Sequence, residues 1–280
     1  MSSSAKQAQD RSNLITRAIT ALIGGPLILI ITYVGGVPFF IMGLVLAVLS
    51  LLEFCVLGND RQMPGNIPVG VVGVVALVFA YTSHEYVLVP GITAAVVVIT
   101  FIWDSLVSQP EKRLERVGMT TAALLYAGLP ASFMILIRAL PDGLLWMVLI
   151  FMLTWGTDTL AYVGGRMWGK RLLAPSISPK KTVEGAVVGV VGGFVLGLLT
   201  LIAGEKVSPI LVVMAIIAPP LAVAGDLFES RLKRYFHVGD SHVSGLNIIP
   251  GHGGVLDRTD ALIWVATLFY LYFVLSGVGL

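Results

Sequence analysis

Residues 183–203 read VEGAVVGVVGGFVLGLLTLIA, twenty-one positions whose only charged side chain, Glu184, stands in the first turn. A helix of that length rises about 30 Å, the thickness of a bilayer's hydrocarbon core. Glycines recur at 185, 189, 193 and 197, so they fall along one helical face and form a small-residue seam against which another helix can pack closely. The segment reads as a membrane-spanning helix.

Working outward, runs of similar character occupy 14–34, 38–57, 69–83, 87–107, 117–137, 144–163, 210–224 and 255–276, which with 183–203 makes nine spans. The composition agrees: of 280 residues 56% are hydrophobic and only 12% charged, more apolar surface than a soluble domain of this length can bury. A soluble enzyme is excluded, and so is a disordered chain. The first span is too long for a signal peptide and no small-x-small site follows Tyr33, so it is expected to remain as a helix. The lone Cys55 forms neither an internal disulfide nor a thiolate cluster, and nothing points to an oxidising compartment.

Orientation follows from the basic residues, since short loops rich in Lys and Arg stay in the cytoplasm. With a cytoplasmic N-terminus, sixteen of the eighteen Lys and Arg residues fall on that side, and only Arg138 and Lys206 fall outside. The expected fold is an all-α polytopic integral membrane protein of about nine transmembrane helices with a cytoplasm-facing polar cavity. It divides into residues 1–140, about five spans joined by loops poor in polar residues, and a catalytic region 141–280, about four spans with charged cytoplasmic segments at 164–182 and 225–254.

Ionisable residues near membrane depth are costly and mark function. Asp158 closes the sixth span, Glu184 opens the seventh, Asp226 ends the eighth, and Asp257 with Asp260 opens the ninth, all at the cytoplasmic end. Four neighbouring helices are thus expected to deliver carboxylates to one cytoplasm-facing cavity. Hard oxygen ligands without paired histidines or thiols favour Mg²⁺, which binds through one or two carboxylates plus substrate phosphates. Glu53 and Asp104, with no motif around them, read as interfacial ion pairs.

The first polar segment contains Ser178-Pro-Lys-Lys-Thr-Val-Glu-Gly185. Ser178, Lys180, Lys181 and Thr182 suit phosphate oxygens by charge and hydrogen bonding, and Thr182 stands where a helix N-terminus favours anions. The second begins as a stretch able to form an amphipathic helix, with Leu227, Phe228, Leu232 and Phe236 opposed to Arg231, Lys233 and Arg234. It ends in Pro250-Gly-His-Gly-Gly254, a glycine-rich turn before the helix bearing Asp257. That turn matches neither the Walker loop nor the dinucleotide fingerprint.

Together these residues resemble the phosphatidate cytidylyltransferase family, the membrane CDP-diacylglycerol synthases. The family's C-terminal signature, Ser-x-x-Lys-Arg, then Lys-Asp, then Pro-Gly-His-Gly-Gly-x-x-Asp-Arg-x-Asp, is matched by Ser230, Lys233, Arg234, Asp240, Pro250, Gly251, His252, Gly253, Gly254, Asp257, Arg258 and Asp260. Ala161-Tyr162, Gly164, Gly169 and the 178–185 stretch resemble its second conserved region. Two departures stand out: Gly239 replaces the signature's Lys, and the stretch from Asp240 to Pro250 is longer than usual. A different basic residue, or His237 or His242, is the candidate to supply the missing charge.

The resemblance implies transfer of a cytidylyl group from CTP to phosphatidate, giving CDP-diacylglycerol and pyrophosphate in phospholipid biosynthesis. It implies Mg²⁺ in a paired-cation centre, with Asp226 and Asp257 as metal ligands and Asp158, Glu184 and Asp260 as further candidates. Lys181, Lys233, Arg234, His252 and Arg258 are the implied catalytic residues. Ser178, Lys180, Lys181, Thr182, Ser230, Gly251, Gly253 and Gly254 are the implied phosphate-binding ones. CTP, phosphatidate and membrane lipid are the expected partners and nucleic acid is not, while a homodimer stays open. The bacterial plasma membrane, with the site facing the cytoplasm, is the expected location. The alternatives are a cytidylyltransferase for another lipid phosphate, such as a CDP-archaeol synthase, and an ion-coupled transporter. The transporter would carry inverted repeats and a midplane site, and neither is visible. The Asp-x-x-Asp-Gly-x-x-Ala-Arg run of the alcohol phosphotransferases is absent.

Overall fold

The computed structural model describes residues 22–59, 63–107, 112–238 and 254–277. Among these residues nine helices follow one another: α1 Leu22–Val34, α2 Gly36–Leu57, α3 Ile67–Thr82, α4 Leu88–Val107, α5 Arg113–Ala139, α6 Gly143–Trp168, α7 Val183–Ala203, α8 Pro209–Tyr235 and α9 Leu256–Ser276. Seven of them, α2 and α4 to α9, are long and apolar enough to cross a membrane, and α1 and α3 are shorter apolar helices. The chain is thus an all-α polytopic membrane protein. Residues 14–21 of the first expected span lie outside the described residues.

The glycine seam of α7 is buried at Gly185, Gly189, Gly193 and Gly197. α6 lies against it so closely that a Cβ on Gly189 would stand 2.6 Å from both the Thr157 carbonyl and the Ala161 methyl. On the opposite side Val187, Val191 and Val195 are 57%, 57% and 46% exposed, a burden in water but the natural partner of lipid tails. The core between the other helices is built from α2, α5, α6 and α9, where Leu51, Leu124, Leu149, Ile150 and Phe269 are fully buried.

Two features go beyond the expected elements. Residues 172–182 form a hairpin, β1 Leu172–Ala174 antiparallel to β2 Ser178–Thr182, where a plain loop was expected. And α8 does not stop at residue 224: residues 225–235, expected to open a separate cytoplasmic segment, continue the same helix for a total of 27 residues, about 40 Å. That continuity mounts Asp226, Glu229 and Lys233 on one rigid rod.

Long-range contacts sort the helix ends into two groups. At one end, the Arg138 guanidinium of α5 donates to the Thr32 carbonyl at 2.6 Å, and Lys206 beyond α7 pairs with Asp142 at 2.7 Å. At the other, the hairpin, the end of α6, the start of α7, the end of α8 and the start of α9 come together. The two basic residues expected outside therefore share one end, away from the polar segments.

Candidate active site

The gathering of these ends follows from local sequence. Thr182 caps α7, its hydroxyl accepting the Gly185 N–H at 3.2 Å. Gly185 is required there because a Cβ would stand 2.7 Å from the Ala161 carbonyl of α6. The end of α6 is thereby locked to the hairpin, with Asp158 and Tyr162 on it. A π-helical turn, Met152–Gly156, precedes Thr157 and Asp158, a kind of irregularity common beside functional sites.

Between these elements lies a cavity of about 600 Å³. Its lining includes Asp158, Ser178, Lys180, Lys181, Thr182, Asp226, Asp257, Arg258 and Asp260, most of the described residues singled out from sequence, together with Tyr162 and Arg166. Lys181 is ion-paired with Asp226. Lys233 of α8 bridges Glu229 and Asp257, 2.7 Å from each, and the Gly254 N–H donates to the other Asp257 oxygen at 3.0 Å. Burial lowers the pKa of the Lys181 ammonium from its ordinary value, and the nearby carboxylates of Asp158 and Asp260 oppose that shift.

Behind the acidic wall lies a second cavity of about 530 Å³. It shares Asp158, Asp257, Arg258 and Asp260 with the first, but the rest of its lining is mostly apolar, with Ile28, Phe39, Met42, Met134, Phe151 and Trp155. Two chambers of opposite polarity thus meet at one set of ionisable residues.

The remaining sequence candidates sit elsewhere. Glu184 does not line the cavity; its carboxylate accepts the N–H groups of Lys170 and Arg171 at 2.9 and 3.1 Å and so holds the turn before the hairpin. Three of the four helices therefore supply carboxylates to the chamber, rather than all four. Arg234 donates to the Ile177 carbonyl at 3.4 Å, against the hairpin turn, while Lys233 stands behind Asp257 and neither it nor Ser230 is in the lining. His252, Gly251, Gly253, Asp240 and His242 lie outside the described residues. Asp104, fully buried, pairs with Arg116 at 3.4 Å as the ion-pair reading expects. Glu53 bonds the backbone at the start of α9, and no spacing in the sequence signals this. Arg166 was findable, since it stands four residues after Tyr162 and reaches its hydroxyl at 3.3 Å.

The donor set suits a hard divalent cation. Among the described residues no group of three or more Asp, Glu, His or Cys side chains is close enough to hold an ion unaided. A hard divalent cation such as Mg²⁺ would here need substrate oxygens and water beside one or two carboxylates. Asp226 and Asp257, each already held by a lysine ammonium, are carboxylates kept beside positive charge on the cavity wall.

Residues 15–276 match the cytidylyltransferase family. The chain is similar to proteins named phosphatidate cytidylyltransferase from Brucella abortus (strain 2308), at 34% identity over 93% of both chains, and from Bacillus subtilis (strain 168), at 31% over 93% of this chain and 97% of that one. A Staphylococcus aureus (strain COL) protein of the same name is 30% identical over 93% of this chain and 99% of its own.

Proposed function

The chain belongs to the cytidylyltransferase family and is a nucleotidyltransferase, and on that footing we propose that it makes CDP-diacylglycerol and pyrophosphate from CTP and phosphatidate. The observation that carries this reading is the meeting of a polar and an apolar chamber at Asp158, Asp257, Arg258 and Asp260. A reaction between a nucleotide and a lipid phosphate needs such a boundary, because each substrate must reach the same point from a different solvent.

In this reading Ser178, Lys180, Lys181 and Thr182 hold the triphosphate by charge-assisted hydrogen bonds. Arg258, on the shared wall, faces the lipid phosphate. An oxygen of that phosphate attacks the α-phosphorus of CTP; the new P–O bond forms as the bond to the bridging oxygen of the β-phosphate breaks, and pyrophosphate leaves with that oxygen. No side chain becomes covalently modified. Asp226 and Asp257 would hold Mg²⁺, which offsets charge building on the leaving group. Lys233, bonded to Asp257 and Glu229, keeps the Asp257 carboxylate in place. Asp158 and Asp260, on the same wall, would be the candidates to hold a second cation.

In this reading the chain sits in the bacterial plasma membrane with nine spans and its site faces the cytoplasm, where CTP is made. The distribution of basic residues supports that orientation. The test is an assay of the full chain in detergent with phosphatidate, Mg²⁺ and CTP labelled at either the α- or the γ-phosphorus. The α-label is expected in the organic phase and the γ-label in aqueous pyrophosphate; retention of both labels in water overturns the reading.

A further inference from the structure

α9 begins without a cap of its own. The residue before it is Val255, which has no side-chain acceptor, so the first N–H groups of the helix need one from elsewhere. Glu53 of α2 supplies it: one carboxylate oxygen accepts the Val255 N–H at 2.8 Å and the other the Leu256 N–H at 2.7 Å. Glu53 is 2% exposed, within a stretch of α2 where Leu51, Phe54 and Cys55 belong to the core. A carboxylate that deep is costly unless its oxygens are engaged, and two backbone donors at the positive end of a helix engage both.

The consequence falls on the next residues. Asp257 and Arg258 follow the clamped pair directly and line both chambers, whereas Glu53 lines neither. Asp257 is held on its other sides by Lys233 and by the Gly254 N–H. Each residue of a helix turns the next by about 100°, so slippage at Val255 or Leu256 would carry Asp257 and Arg258 off the shared wall.

We infer that Glu53 is a positioning residue for the transfer reaction, through which the N-terminal helices set where Asp257 and Arg258 stand. The inference rests on the proposed site and deepens it. The carboxylate lines neither chamber and acts by fixing the first turn of α9.

The experiment compares Glu53→Gln with Leu51→Ala in the full chain in detergent. Leu51 is fully buried on the same helix and packs against Gly70 of α3, so its truncation destabilises α2 from that side. Hydrogen exchange over residues 255–260 is expected to accelerate at least tenfold in Glu53→Gln and to stay unchanged in Leu51→Ala. At a temperature where both remain folded, kcat is expected to fall at least tenfold in Glu53→Gln with KM for CTP within twofold of wild type, and to be preserved in Leu51→Ala. Wild-type kcat per folded molecule in Glu53→Gln, or an equal loss in both variants, overturns the inference. If Glu53→Gln does not fold, Glu53→Asp takes its place, with its charge kept but its carboxylate drawn back by one methylene. The same pattern is expected, and wild-type exchange and turnover overturn it. Absence of turnover in the wild type would instead sink the proposed reaction, leaving the exchange measurement to decide on the clamp.

Discussion

Lys181 on β2 and Asp226 on α8 are joined by an ion pair on the wall of the polar cavity, tying the hairpin to the cavity end of α8. The pair keeps the proposed phosphate-binding cation and the proposed metal-binding anion at one place. In the proposed reaction a triphosphate would pair with Lys181 and Mg²⁺ would be held by Asp226, so neither side chain would be left with its charge uncompensated.

Lys181→Ala is therefore expected to weaken turnover. A charge-assisted hydrogen bond contributes about 1.5–3 kcal/mol, roughly 10- to 150-fold in rate. Both side chains are partly exposed, 32% and 22%, so Asp226 tolerates the loss and the protein remains folded. Steady-state kinetics in both substrates check this; unchanged kcat and KM for CTP and phosphatidate remove the hairpin from the site.

Asp226→Asn and Asp257→Asn keep an oxygen ligand and lose the charge. Each is expected to lower kcat by about 10²–10³, the scale seen when transition-state charge loses a fixed electrostatic partner. Chelation should abolish wild-type activity and Mg²⁺ restore it. Asp104→Asn, at the buried pair with Arg116 and outside both chambers, should keep most of its turnover per folded molecule. Near-normal Mg²⁺-dependent rates in either site variant would refute the metal assignment.

Orientation has its own check. In a Cys55→Ala background, a cysteine in place of Lys206 is expected to react with an impermeant maleimide added to intact cells, and one in place of Lys181 to be protected. The two positions lie at opposite ends of α7, so the reverse labelling would invert the whole topology.

The α7 seam gives a stability prediction. Gly189→Val puts a branched side chain against the Thr157 carbonyl, a backbone atom that cannot step aside, where even a Cβ would stand 2.6 Å away. Overpacking of this kind costs about 1–3 kcal/mol. The thermal midpoint in detergent should drop, whereas Val191→Leu on the exposed side should leave it unchanged.

What the sequence disclosed tracks what is local. The apolar runs are one-dimensional signals, and the seam at Gly185 to Gly197 follows from period four alone. Asp226, Asp257 and the Ser178 to Thr182 run were legible because each combines a motif with a helix end. The hairpin was not: Ser-Pro-Lys-Lys-Thr has no alternating apolar pattern, and its pairing with Leu172–Ala174 is set by the turn and by the packing of Gly185 on α6. The continuation of α8 was hidden because hydropathy falls at Asp226 while the helical backbone does not end there. Glu53 lay furthest from view, since its partners stand 202 and 203 positions away and no sequence pattern encodes that meeting. Glu184 misled for the converse reason. An acid in the first turn of a helix can serve a ligand or the adjacent loop, and the free N–H groups of Lys170 and Arg171 decide it.

The apolar chamber can be tested at Gly25. This residue of α1 lines the chamber, and a Cβ built on it meets nothing within 4 Å, so a large side chain enters open space. Gly25→Leu also removes a helix-weakening glycine, which spares stability by about 0.5–1 kcal/mol and separates any kinetic effect from loss of fold. If the chamber holds the acyl chains of phosphatidate, the leucine competes with them for volume. KM for a long-chain phosphatidate should rise about tenfold, the scale of one or two buried methylenes lost at about 0.8 kcal/mol each. KM for a short-chain phosphatidate and for CTP should stay near wild type, because neither reaches that end of the chamber. Equal shifts for long and short chains, or none for either, would show that the lipid tails lie elsewhere and that the two chambers do not divide the substrates between them.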